Sequence, residues 1–191
     1  DGPTVGDWVA LLKRPDEDRG SIQAVLPQRS WFSRRAAGNV TGEQVVAANV
    51  DVVFIVMGLD ADFNVRRLER YLLLARESGA TAVILLTKPD LSAGAPAQAG
   101  GGAALGGDTP VHVISPKFDV GIDHVRRYLG TGRTGALLGS SGVGKSTIIN
   151  RLVGVDLRKT REVRESHSRG RHTTTHRELV KLPEGGLIID T

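Results

Sequence analysis

The sequence predicts an α/β protein built on a mostly parallel sheet with helices on both faces, preceded by a small all-β segment. Nearly continuous apolar runs, such as Val50–Leu59, mark strands buried on both faces. Segments of helical period alternate with these runs, the pattern of a parallel sheet with covering helices. Residues 1 to about 45 differ: they hold short strand patterns and turn residues, with no helical period. At about 150 residues per domain, a chain of 191 residues has room for one full domain and a small or partial second. With 40% hydrophobic and 24% charged residues, a packed core is expected rather than disorder. The absence of cysteine excludes a disulfide scaffold and any thiolate metal site in this chain. No apolar run approaches the roughly 20 residues needed to span a bilayer, and no leader pattern is read. The chain opens at Asp1 and stops at Thr191 directly after an apolar strand, which reads as a fragment of a cytoplasmic protein.

Each element has its own signal. Asp7–Leu11 is a short strand pattern, residues 14–20 are turn-forming, and Ser21–Leu26 is a second strand stopped by Pro27. After the strand Val50–Leu59 comes a helix over Val65–Ser78. Leu68, Tyr71, Leu72 and Ala75 line one face of it, and Gly79 ends it. Ala82–Thr87 is a buried strand. Residues 92–107 hold seven Gly or Pro and read as a flexible loop. Val111–Ser115 is a strand, Gly121–Leu129 a short helix, Gly135–Leu138 a strand and Gly144–Val153 a helix. Residues 154–175 are polar and basic without period, hence a long loop. Strands over His176–Leu182 and Gly186–Asp190 close the chain.

The strongest chemical signal is Gly139-Ser140-Ser141-Gly142-Val143-Gly144-Lys145-Ser146, followed by Thr147. It fits GxxxxGK[ST] between a strand and a helix, the context a phosphate loop requires. Glycines let backbone N–H groups turn toward phosphate oxygens, and the helix N-terminus adds positive potential. Lys145 supplies a cation for the β- and γ-phosphates, and Ser146 a hydroxyl for Mg²⁺. The motif specifies a nucleoside triphosphate without choosing the base.

Two further motifs address the base. Thr87-Lys88-Pro89-Asp90 stands at the end of a buried strand, where ligands bind in open α/β sheets. It resembles the NKxD motif of GTPases, whose Asp carboxylate accepts two N–H bonds from guanine; adenine would leave that carboxylate unpaired. Ser115-Pro116-Lys117 lies where GTPases carry Ser-Ala-Lys. Pro116 has no N–H for guanine O6, so a neighbouring amide would have to substitute. In ordinary GTPases the phosphate loop precedes the base motifs. Here residues 87–90 and 115–117 precede 139–146, so the strands are circularly permuted, a rearrangement that neighbouring termini make tolerable.

This order resembles the ribosome small-subunit-dependent, circularly permuted GTPases of the RsgA (YjeQ, EngC) family. The resemblance extends to Ala48-Asn49-Val50-Asp51, Leu68-Glu69-Arg70-Tyr71-Leu72 and Gly170-Arg171-His172-Thr173-Thr174-Thr175, and covers nearly the whole chain. It implies a partly represented OB-fold β-barrel over residues 1–45, its N-terminus missing, and a permuted P-loop GTPase domain over 46–191. It implies GTP or GDP and Mg²⁺ as ligands, and the 30S subunit with its 16S rRNA as partner. A monomer is expected. Zinc belongs only to the family's C-terminal module, which is absent from this sequence along with the Pro-Gly expected after Asp190-Thr191. Thr at 87 in place of Asn and Pro at 116 in place of Ala depart from the pattern.

The resemblance also assigns roles. Residues 158–171, six basic against two acidic, become switch I; their excess of +4 equals that of the whole chain and suits a polyanion such as rRNA. Thr174 is chosen among three threonines to bind Mg²⁺ and sense the γ-phosphate. Asp190 matches the Asp that supports Mg²⁺ through water. His172 is the candidate to orient the attacking water. Lys145 and Thr174 are expected to join it in catalysis. His112, His124, His167 and His176 show no metal-ligand spacing. In the β segment Trp8, Trp31 and Phe32, flanked by Arg29, Arg34 and Arg35, are candidates to stack bases or to pack in a core. Two alternatives stand beside a GTPase coupled to small-subunit maturation: an RNA-binding assembly factor with nucleotide as a structural ligand, and a P-loop ATPase, against which Asp90 speaks.

Overall fold

A computed structural model describes residues 2–14, 19–35, 43–154 and 177–191. Its elements follow in chain order: β1 (Val9–Lys13), β2 (Gly20–Val25), β3 (Trp31–Arg35), β4 (Glu43–Ala48), β5 (Val52–Gly58), α1 (Val65–Glu77), β6 (Thr81–Thr87), α2 (Ala95–Gly106), β7 (Val111–Val113), α3 (Ile122–Arg126), β8 (Thr134–Leu138), α4 (Lys145–Val153), β9 (Glu178–Lys181) and β10 (Leu187–Asp190). Short 3-10 turns cover Pro89–Leu91 and Pro116–Phe118.

Six strands form one sheet in the order β7-β6-β5-β8-β10-β9. Every pairing from β7 to β10 is parallel; β9 alone runs antiparallel, on β10. β5 is buried along its full length, as its unbroken apolar run requires. Two apolar layers cover the sheet. On one face Ile55, Met57, Ile84 and Leu86 meet Leu68, Leu72 and Ala75 of α1. On the other Phe54, Val56 and Leu85 meet Ile122 and Val125 of α3 and Ile148 and Leu152 of α4.

The segment expected to be a flexible loop over 92–107 contains α2 instead. Its alanines favour the helix, and its glycines permit close contact with the sheet. A Cβ on Gly102 would lie 3.3 Å from Leu86, and one on Gly106 would lie 3.1 Å from Ile84. Ala95 is buried, and Ala99 and Leu105 pack against the same core. Glycine content alone does not separate a loop from a helix held by packing.

Residues before β5 form two separate hairpins, β1-β2 and β3-β4, with no closed barrel among the described residues. β4 runs past residue 45, to Ala48. Phe32, a candidate for base stacking, is instead buried with Val46 and Val50 against the α1 side of the core, whereas Trp8 and Trp31 are exposed. The junction to the sheet is bolted by Asn49, which adopts φ 54 and is 4% exposed. Its Oδ1 accepts from the Arg29 amide at 2.9 Å, and its Nδ2 donates to the Gly6 carbonyl at 3.0 Å. Next to it the Asp51 carboxylate accepts from the Thr134 amide at 2.7 Å, fixing β5 beside β8.

Candidate functional site

The parallel strands β5, β6, β8 and β10 end along one edge of the sheet, and the candidate residues gather there. β8 leads into the loop 139–144. Gly139 must be glycine because a Cβ would lie 2.4 Å from the Val56 carbonyl oxygen of β5. Gly142 and Gly144 have φ of 79° and 105°, values that β-carbon sterics disfavour in other residues. These turns aim the loop into the start of α4, with Lys145 as its first residue. Val143, expected among the nucleotide-binding residues, buries its side chain in the core beside α4; only its backbone remains for a ligand.

A cavity of about 760 Å³ opens over this loop, lined by Gly139, Ser141, Gly142, Gly144, Lys145, Ser146 and Thr147, with Asp190, Thr191 and Arg177 opposite. Its far wall is Phe32 and Val46 of the second hairpin and Tyr71 and Leu74 of α1. Lys145 Nζ donates to the carbonyls of Gly139 at 2.8 Å and Ser140 at 3.0 Å. Half-burial lowers the Lys145 pKa below that of a free lysine, and the Asp190 carboxylate opposes that shift. The ammonium is thus partly desolvated and held by two neutral carbonyls, with the Asp190 carboxylate acting on it as a charge. The Ser146 hydroxyl and the Asp190 carboxylate line this same cavity. Oxygen donors of this kind suit Mg²⁺. Thr191, whose hydroxyl donates to the Leu137 carbonyl at 2.6 Å, ties the end of β10 to β8.

On the other side of the loop a second cavity, of about 200 Å³, is lined by Thr87, Lys88, Asp90, Ser115, Pro116, Lys117, Gly142, Val143, Gly144 and Thr147. Both base motifs therefore meet in one pocket, and the phosphate loop is its shared wall. Asp90 is exposed at its mouth in the turn after β6. Thr87 is buried, and its hydroxyl donates to the Val143 carbonyl at 2.7 Å; it holds the wall of the pocket. Lys88 takes the left-handed conformation, φ 58, and its Nζ contacts Asp60 Oδ2 at 2.8 Å. That ion pair holds the Asp60 carboxyl below the usual carboxylate range, against the opposing effect of burial. Ser115 and Pro116 are buried. The Pro116 and Lys117 carbonyls face Arg151 of α4, while Lys117 Nζ lies 5.1 Å from the Phe118 ring centre.

Most of the site residues read from the sequence thus converge on two adjoining cavities. His172 and Thr174 lie outside the described residues, as do His167, His176 and the basic run 158–171. His112 and His124 stack on each other, with ring centres 4.8 Å apart, and His112 meets the Tyr128 hydroxyl at 2.9 Å; neither lines the two cavities. Asp60 and Arg151 carry no motif of their own, and Asn49 and Tyr71 enter the sequence pattern only through the family resemblance and the helix face. An acidic residue directly after a buried strand was a usable signal for Asp60; Arg151 gave none.

Three comparisons bear on this geometry. The family model described as RsgA GTPase matches residues 25–191. A "Small ribosomal subunit biogenesis GTPase RsgA" of Opitutus terrae is 48% identical over 99% of this chain and 54% of its own length. A protein of Lactiplantibacillus plantarum, "Small ribosomal subunit biogenesis GTPase RsgA 2", is 46% identical over 99% of this chain and 53% of its own. The chain therefore spans about half the length of these curated relatives. Among solved structures, YjeQ from Thermotoga maritima superposes with a TM-score of 0.68 at 26% identity, over 99% of this chain and 60% of that one. YloQ, described as a circularly permuted GTPase, matches in fold with a TM-score of 0.62 at 21% identity, over 100% of this chain and 57% of that one. In strand order, in motif order and in these similarities alike, the chain carries the circularly permuted P-loop fold and belongs to the RsgA GTPase family.

Proposed function

We propose that this chain binds and hydrolyses GTP in the presence of Mg²⁺ and acts on the 30S ribosomal subunit during its late maturation, in the cytoplasm. The observation that carries the reading is the shared wall: residues 142–144 separate a phosphate cavity from a base pocket that holds both base motifs. A guanine nucleotide would lie across that wall, its base toward Asp90 and its phosphates toward Lys145. The names of the relatives supply the ribosomal partner.

In this reading the loop amides and Lys145 bind the phosphates, and Lys145 leaves the Gly139 and Ser140 carbonyls to do so. Moving the ammonium from neutral carbonyls to an anion favours the bound state, and removes no group the fold depends on. Ser146 would hold Mg²⁺ directly and Asp190 through water. Held there, the ion would supply positive charge against the β- and γ-phosphates. His172 is assigned to orient the attacking water, Thr174 to sense the γ-phosphate, and the basic run 158–171 to contact 16S rRNA. Residues 1–45, with their exposed Trp8 and Trp31, are assigned to an OB-type contact with the subunit, ahead of a GTPase domain over 46–191. The protein acts as a monomer. Among the described residues no helix is long and apolar enough to cross a membrane.

The test is phosphate release from GTP and from ATP, with and without purified small subunits. GTP turnover that rises with subunits is expected. Turnover of ATP as fast as GTP, or GTP turnover indifferent to subunits, would overturn the reading.

A further inference from the structure

We infer that Arg151 is a positioning residue for base recognition: its guanidinium clamps the 115–117 loop so that the Lys117 amide takes the place of the amide that Pro116 lacks. This rests on the guanine reading above. Arg151 Nε donates to the Pro116 carbonyl and Nη2 to the Lys117 carbonyl, each at 2.9 Å. One planar fork thus grips two successive carbonyls, a geometry that arginine offers and lysine does not.

The direction of that grip follows from α4. Thr147 and Arg151 stand four residues apart on one helix face. Thr147 lines the base pocket, whereas Arg151 lies one turn further along the helix and outside it. Arg151 therefore pulls the two carbonyls away from the pocket, along α4. In a trans peptide the N–H points opposite to the C=O of the same plane. The plane whose carbonyl belongs to Pro116 carries the Lys117 N–H, which accordingly faces the pocket. The peptide that follows is fixed as well, its Phe118 amide donating to the Ser115 carbonyl at 3.1 Å. The anchor is itself held: Arg126 Nη2 donates to the Arg151 carbonyl at 2.9 Å at the end of α4. Among the described residues, the acidic group that faces the fork is Asp119, whose Oδ1 lies 4.0 Å from Arg151 Nε and which is largely exposed. The carbonyls are therefore the partners that set the fork's orientation.

The chemical consequence is specific. The Lys117 amide would meet a 6-oxo purine and would find no acceptor on a 6-amino purine. Dissociation constants of GDP, IDP and ADP test this, measured for the wild-type chain, R151M and R151K. GDP and IDP share the 6-oxo group. R151M should weaken both by the same factor, about three- to tenfold for one hydrogen bond, and leave ADP unmoved. R151K, which can hold one carbonyl, should fall between; if R151M fails to fold, the lysine variant carries the test. Equal weakening of all three nucleotides would reduce Arg151 to a support of the fold and overturn the inference, as would an unchanged GDP-to-ADP ratio. A wild-type chain that binds GDP and ADP alike would instead remove the guanine reading itself, and the inference with it.

Discussion

The Thr87 hydroxyl donates across 2.7 Å to the Val143 carbonyl, so the end of the base-motif strand and the middle of the phosphate loop are hydrogen-bonded to each other. The Met57 carbonyl of β5 lies 3.3 Å from the same hydroxyl. A short β-branched residue here fixes the wall between the two cavities from below. Replacing it with Val keeps the shape and leaves a buried carbonyl without its donor. Thr87→Val should cost about 1–3 kcal/mol in denaturant unfolding. It should weaken GDP and ADP equally, because the loop serves the phosphates of both. An unchanged unfolding midpoint would show that the contact is dispensable.

Base choice should rest on Asp90. Competition of GDP against ADP is expected to favour GDP, though less than in a GTPase with Asn and Ala at the positions of Thr87 and Pro116. Asp90→Asn should lower GDP affinity at least about tenfold, since each bond to a charged acceptor is worth roughly 1.5–3 kcal/mol, with little effect on ADP. Equal loss for both nucleotides would place Asp90 outside base recognition.

Lys145→Ala and Ser146→Ala should abolish GTP turnover and leave the fold intact. Ser146 is exposed, and among the described residues the hydrogen bonds of Lys145 Nζ go to carbonyls of its own loop. Circular dichroism melts alongside a phosphate-release assay separate the two effects. Loss of cooperative melting in Ser146→Ala would mean that this helix start is structural.

Nucleotide affinity should fall as the solution becomes alkaline. Burial lowers the Lys145 pKa in the nucleotide-free protein, and bound phosphate raises it again, so binding favours the protonated form. Affinity is therefore full below the lowered pKa and is lost as pH rises through it. Titration of GDP binding across the alkaline range checks the sign; affinity that rises with pH there would contradict it.

The Asn49 junction predicts a graded response. Asn49→Gly keeps the left-handed backbone but loses the bonds to Arg29 and Gly6. Asn49→Ala loses both and adds backbone strain of about 1–2 kcal/mol. The alanine variant should unfold more easily than the glycine variant by that margin. Equal stabilities would mean that the loop can relax.

The apolar runs fixed β5 and β6 in advance because a strand buried on both faces has no polar positions to spare. The phosphate loop was legible for a similar reason: tight turns and phosphate approach demand glycine at set spacings, and those demands are local. α2 is hidden from local pattern because its glycines serve contact with Leu86 and Ile84 rather than looseness, and that contact does not exist until β6 is in place. Phe32 looked equally suited to a base or a core until α1 was packed beside it. Arg151 grips a carbonyl 35 residues away in the chain, and Lys88 meets a carboxylate 28 residues away. Local pattern records what a residue must do for its own turn, helix or strand. Which distant carbonyl or carboxylate completes a side chain is decided only when the sheet brings the two together, since hydrogen bonds act over about 3 Å of space and not along the sequence.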